Sequence, residues 1–189
     1  MLDVIPARLI LDWVDQPTAA LWFDRIVQET AWEQPRIQMF GKRVAIPRLQ
    51  AWYGDPEAHY RYSGLDNRPV AWTELLAEIR QRLETTTVER FNSVLVNRYR
   101  DGQDSNGWHS DDEKELGPEP CIASLSLGAT RRFLLRRRDD KTRRIEVPLS
   151  SGSLLLMWGR SQADWQHCVP KQANIAETRI NLTFRWTGR

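Results

Sequence analysis

A chain of 189 residues with 41% hydrophobic side chains is the size of one domain with a buried centre, and is far too apolar for a disordered tail. The formal net charge of +2 does not by itself call for a polyanionic partner, and no apolar run reaches the length that a membrane helix needs. The N-terminus, MLDVIPARLILDWVD, sets acids among its apolar residues where a signal peptide needs a basic start and an apolar core, so a soluble, intracellular, cytoplasmic protein is expected.

The first predicted helix is PTAALWFDRIVQET (17–30), with Leu21, Phe23, Ile26 and Val27 in a helical stripe and Pro17 suited to the first turn. A clearer one is AWTELLAEIRQRLE (71–84), where Leu75, Leu76, Ile79 and Leu83 form one face and Thr73 is the expected cap. Between them, QMFGKRVAIPRLQAWYGDPEAHYRYSG is rich in Gly, Pro and aromatics and does not read as helix. From residue 91 the apolar period changes to two. FNSVLVNRY, CIASLSLG, RRFLLRR, RRIEVPL, SLLLMW and TRINLTFRW read as strands separated by turn residues. Helices followed by a run of strands predict an α+β layout whose strands close into a sandwich or barrel.

Within the strand region, Arg131 to Arg144 carries eight basic residues against two acidic ones. Such a stripe tracks phosphates or, equally, forms a solvated hairpin with charged edges. Of nine tryptophans, most are expected in the core and a few as base-stacking platforms. Cys121 and Cys168 lie far apart and outside any CxxC pair, so free thiols are expected and a zinc–cysteine site is not.

The chemistry concentrates in WHSDDE (108–113). His109 and Asp111 are two apart, so in an extended segment both project to one side and can grip one ion. The other histidines are His59, in the loop-rich first third, and His167, among the late strands in DWQHCVP. Two imidazoles and one carboxylate, leaving open coordination positions, form the ligand set of non-heme iron(II) oxygenases. An HxD pair alone is common by chance, and a strand histidine is more often a satisfied structural residue.

The last strand adds a second signal. In TRINLTFRW, Arg179, Asn181, Thr183 and Arg185 share one face, while Ile180, Leu182, Phe184 and Trp186 share the other. A polar face with two arginines suits a dianionic small molecule, because guanidinium forks match carboxylates; the alternative is a polar face that meets water. Asn97 and Tyr99 lie on one face of FNSVLVNRY, just ahead of HxD. Arg179 and Arg185 stand about 20 Å apart along a straight strand, so both reach one small diacid only if the strand curves and the side chains converge.

FGK (40–42), PRLQAWYGD (47–55), YRYSG (60–64), FNSVLVNRYRDGQDSNGWHSDDE (91–113), IASLSLGATRRF (122–133), QADWQH (162–167) and RINLTFR (179–185) together resemble the AlkB family of nucleic-acid dealkylating dioxygenases. They are similar to the eukaryotic-type members that repair DNA and RNA. The resemblance implies a double-stranded β-helix, or jelly-roll, barrel in a single domain over 1–189. Residues 1–90 would be helical support and nucleotide-recognition lid, and 91–189 the catalytic core. It implies that His109, Asp111 and His167 bind iron(II) and carry catalysis. Asn97, Tyr99, Arg179, Asn181, Thr183 and Arg185 would hold the co-substrate 2-oxoglutarate, with the arginines on its carboxylates and O2 as the oxidant.

For the substrate, the resemblance implies that Tyr60 and Tyr62 belong to the lid, with Tyr62 stacked on a flipped base opposite His109. Asp112 would contact the base edge, and Arg48 would order the lid or phosphate side. Phe40, with Met39, Gly41 and Lys42, would be an intercalating finger. The implied reaction is oxidative demethylation of bases of the 1-methyladenine and 3-methylcytosine type in DNA or RNA, by a monomer, releasing formaldehyde and succinate. Two alternatives stay open: a dioxygenase of the same barrel acting on protein, lipid or a small molecule, and a non-catalytic nucleic-acid binding module. A zinc deaminase would need a PCxxC element and a glutamate placed after its histidine, and neither is present.

Overall fold

The computed structural model describes residues 2, 4–39, 41–58, 60–62 and 65–188, with the side chains of 39, 60–62 and 65–67 outside that description. A short strand β1 (Ala7–Ile10) leads into helix α1 (Gln16–Glu29). Asp15 caps α1, accepting the Thr18 N–H at 2.8 Å, and Pro17 lies in the first turn. The inward face is Ala19, Trp22 and Ile26, flanked by the partly buried Phe23 and Val27. Leu21, expected in that stripe, is instead 59% exposed. The helix is rotated so that Trp22 takes the inward place. Its ring packs on Trp13 at 6.3 Å, and the Arg82 guanidinium lies over both indoles.

The segment between the two helices holds no helix but does hold strands. The hairpin β2 (Arg36–Met39) and β3 (Lys42–Ala45) is followed by β4 (Leu49–Gly54), then by the small hairpin β5 (Tyr60–Tyr62) and β6 (Leu65–Asn67). Helix α2 (Glu74–Thr87) is capped by Thr73, as expected, and buries Leu75, Leu76, Ile79 and Leu83.

The remaining strands are β7 (Ser93–Tyr99), β8 (Asn106–His109), β9 (Ile122–Gly128), β10 (Arg131–Arg137), β11 (Arg144–Leu149) and β12 (Leu154–Met157). A single-turn helix α3 (Ser161–Asp164) precedes β13 (Trp165–Val169) and β14 (Arg179–Arg185). Among the described residues the larger sheet has the order β1-β12-β9-β14-β7-β4, and the smaller has the order β11-β10-β13-β8. All pairings between these strands are antiparallel, and from β7 onward the chain alternates between the two sheets except at the β10–β11 hairpin, which is the jelly-roll pattern. β1 and β4 from the first half of the chain form the two edges of the larger sheet, so the barrel is not confined to residues beyond 90.

The period of two decides where everything goes. On β14, Ile180, Leu182 and Phe184 enter one core with Val94 and Val96 of β7, Ala123, Leu125 and Leu127 of β9, and the apolar faces of α1 and α2. The opposite faces turn into the barrel. There Tyr99, Ile122, Phe133, Leu135, Val147, Leu149, Leu155 and Met157 form a second core between the sheets. Arg179, Asn181, Thr183 and Arg185 share that interior with Asn97 and Tyr99. A polar strand face is therefore built into the centre of the molecule rather than against water.

Candidate active site

A cavity of about 340 Å³ lies between the sheets, lined at one end by His109, Asp111 and His167 and along its length by the polar faces of β7 and β14. His109 closes β8 and stands opposite His167 of β13, with ring centroids 4.2 Å apart. Asp111 follows two residues beyond the strand end. One ligand atom from each of the three lies within 4.8 Å of the others, a spacing at which a single ion can bridge them.

The charge states suit a metal. His109 Nδ1 donates to the Gly107 carbonyl at 2.8 Å, which leaves Nε2 as the ligand nitrogen facing Asp111. His167 is stacked on Phe133 at 5.2 Å. Burial first, and then the neighbouring His109, pushes its pKa down to about 3, so the imidazole is neutral and its lone pair is available. Burial raises the pKa of Asp111, but Arg185, His167 and His109 outweigh it and bring the carboxyl to about 2. It is ionised at neutral pH.

Toward the other end, Arg179 is 1% exposed and its pKa is drawn down to about 10, chiefly by burial, with Tyr99 opposing and Arg131 assisting. Nη2 donates to Ser126 Oγ at 2.9 Å, but Nε and Nη1 are buried without a hydrogen-bond partner. Among the described residues no carboxylate pairs with it. A buried guanidinium with orphaned donors and no counter-ion calls for an anion from outside the chain. Asn181 donates to Ser124 Oγ and accepts from Thr183 Oγ1, which fixes the middle of the polar face. The donor set and the orphaned guanidinium both fit a divalent metal beside a small dicarboxylate.

Other expected residues have partners of their own within the chain. Arg185 Nη2 donates to Asp111 Oδ1 at 2.8 Å, which sets this guanidinium at the metal end of the cavity, away from Arg179. Arg48, half-buried, lines the cavity and donates to Asn97 Oδ1 at 2.8 Å. Asp112 turns outward, away from the cavity, and pairs with Arg138 at 2.6 Å. Gly41 and Lys42 lie at the tip of the β2–β3 hairpin, Gly41 with φ +77°, where a side chain would strain the turn. Phe40 and His59 lie outside the described residues, and of Tyr60 and Tyr62 only the backbone, in β5, is described.

The arginine stripe also divides. Arg131 is a structural anchor, fully buried and donating to the carbonyls of Asp101, Asp104 and Pro170. Arg132 and Arg137 pair with Glu146 and Asp139, and Arg136 lies over the Trp108 ring at 4.2 Å. Sequence reasoning missed Phe133, which becomes a neighbour of His167 only through the β10–β13 register. It also assigned nothing to Glu113, which lines the cavity and whose pKa is pushed up by burial and by Asp111, with Arg185 opposing.

The pattern of the 2OG-Fe(II) oxygenase superfamily matches residues 6–185. The chain is 45% identical over 186 residues to alpha-ketoglutarate-dependent dioxygenase alkB homolog 3 of Rattus norvegicus, covering 92% of this chain and 61% of that protein. It is 44% identical over 157 residues to DNA oxidative demethylase ALKBH2 of Homo sapiens, covering 79% of this chain and 60% of that protein. It therefore spans about three-fifths of the length of these relatives. The solved structure of OsALKBH1 superposes with a TM-score of 0.69 at 20% identity, covering 96% of this chain and 98% of that one, and supports the fold.

Proposed function

The chain belongs to the 2OG-Fe(II) oxygenase superfamily and within it to the AlkB family, and from that premise we propose that it removes methyl groups oxidatively from N-methylated bases in DNA or RNA. The observation that carries this reading is the juxtaposition of His109, Asp111 and His167 with a buried, counter-ion-free Arg179 in one cavity. Membership implies iron(II) and 2-oxoglutarate. When bound, these supply, together with O2, the oxidation of an N-methyl carbon, with succinate, carbon dioxide and formaldehyde released.

The rest is done by side chains of this protein. The Gly107 carbonyl holds His109 in the tautomer that presents Nε2. Ionised Asp111 and neutral His167 complete a ligand set of one charge and two lone pairs. Arg179 supplies the cation for the distal carboxylate, and Asn97, Tyr99, Asn181 and Thr183 line the path between. Arg185, already on Asp111, lies at the metal end and serves the near carboxylate. Because this cavity lies inside a barrel, a base must leave its stack to reach it, or come from a single strand. Tyr60 and Tyr62 on β5 are the proposed stacking partners that replace the lost neighbours. Phe40, Gly41 and Lys42 form the proposed finger, and Asp112 acts at the base edge once it leaves Arg138.

A cytoplasmic site of action is part of this proposal, and among the described residues no helix is long and apolar enough to cross a membrane. Action as a monomer belongs to the same proposal. Succinate formation driven by an oligonucleotide containing 1-methyladenine or 3-methylcytosine, measured against the unmethylated oligonucleotide, tests the proposal. Stimulation by the methylated strand is expected; equal turnover with both points to another substrate.

A further inference from the structure

Asp111 stands where the sheet no longer supports it. β8 ends at His109, and its pairing with β13 is already irregular between His167 and Val169. Two residues further on, the Asp111 carboxylate must stay at ligand spacing from imidazoles on two different strands. Its backbone is held instead by a side chain: Gln162 Oε1 accepts the Asp111 N–H at 3.0 Å. Gln162 is 2% exposed. Its Nε2 points to Ser161 Oγ at 3.3 Å and Met157 Sδ at 3.6 Å, which orients the amide with oxygen toward Asp111. It sits on α3, five residues ahead of His167.

Neighbouring contacts run the same way. Ser110 Oγ donates to the Trp165 carbonyl at 2.8 Å, and Arg138 bridges the Gln162 carbonyl and the Asp112 carboxylate. The segment 110–112 is thus sewn to the α3–β13 segment that carries His167, and the Gln162 bond is the buried stitch at the ligand itself.

We propose that Gln162 is a positioning residue for the metal centre, holding the Asp111 backbone so that the Asp111 carboxylate and the His167 imidazole keep ligand spacing. This rests on the reading that His109, Asp111 and His167 hold a divalent metal. Groups that orient metal ligands contribute about 10- to 100-fold to metal affinity, because a ligand free to swing must be ordered when the ion binds. A merely structural Gln162, satisfying one buried N–H, would instead affect stability alone.

The experiment is a titration of the metal-free protein with cobalt(II), whose visible absorption reports ligand geometry, alongside the thermal midpoint of the metal-free state. Gln162→Met keeps length and volume and removes the acceptor. Gln162→Glu restores an oxygen at the same reach. We expect Gln162→Met to weaken cobalt binding about 10-fold or more with an altered absorption band, and Gln162→Glu to return toward wild type. Should Gln162→Met fail to fold, Gln162→Asn, whose shorter arm withdraws the oxygen, carries the same expectation. Wild-type affinity and spectrum in the acceptor-free variant, with only the midpoint lowered, overturn the proposal. A wild type that binds no cobalt overturns the metal reading and this proposal with it, an outcome distinct from equal binding by both proteins.

Discussion

Replacing Arg179 by Met separates a residue kept for a ligand from one kept for the fold. Holding this guanidinium in the interior, where its pKa falls from 12.5 to about 10, costs about 3 kcal/mol relative to water. The Ser126 hydrogen bond returns about 1 kcal/mol of that, and the orphaned Nε and Nη1 return nothing. Methionine fills similar space without charge, so the ligand-free variant is expected to be about 2 kcal/mol more stable than wild type in urea unfolding. With 2-oxoglutarate the order changes. Truncating one partner of a buried charge pair costs about 2 to 5 kcal/mol, so the variant should bind at least about 30-fold more weakly by calorimetry with manganese(II) present. Wild type gains stability when 2-oxoglutarate is added, and Arg179→Met does not. A variant that is several kcal/mol less stable without ligand, yet binds 2-oxoglutarate as wild type does, would show that Arg179 serves the fold and not the ligand.

Other consequences follow from the same geometry. Asp111→Ala should leave a folded protein without turnover and with metal binding reduced beyond detection in a cobalt titration; full activity would contradict the triad. Trp22→Ala should cost about 3 to 5 kcal/mol, while Leu21→Ser on the same helix should fall within about 0.5 kcal/mol of wild type. Denaturation midpoints check this pair, and similar losses at both positions would mean α1 is not rotated as described. His167 stays neutral when folded down to about pH 3, whereas the unfolded chain takes up its proton near 6.5. Between those values the unfolded state binds more protons, so the metal-free protein should lose stability as pH falls from 6.5, by up to about 1.4 kcal/mol per pH unit. His167→Phe should flatten that slope, and an unchanged pH dependence in the variant would show that other groups set it.

What was legible in the sequence was whatever a strand's two-residue period encodes. Arg179, Asn181, Thr183 and Arg185 alternate with Ile180, Leu182 and Phe184, and the fold sends the first set into the cavity and the second under the helices. The same holds for Asn97 and Tyr99 against Val94 and Val96. What was illegible depends on pairing between distant segments. Phe133 meets His167 only because Leu135 pairs with His167 in the β10–β13 register. Gln162 reaches Asp111 only because a single helical turn sets it beneath the end of β8. β1 and β4 carry little apolar alternation, because each is an edge strand paired on one side only, and most of their residues are half-buried rather than alternately buried and exposed. The stripe at 131–144 does form the charged hairpin that was one of its two readings, but charge along a sequence does not distinguish Arg131, buried on three carbonyls, from Arg132 at the surface.

The most direct measurement is formaldehyde release from single- and double-stranded oligonucleotides carrying 1-methyladenine or 3-methylcytosine, with iron(II) and 2-oxoglutarate each left out in turn. Release that requires the methylated base and both additions is the predicted result. Release that persists without either addition, or none from any methylated strand while 2-oxoglutarate is still consumed, would contradict the assignment of this cavity to nucleic-acid demethylation.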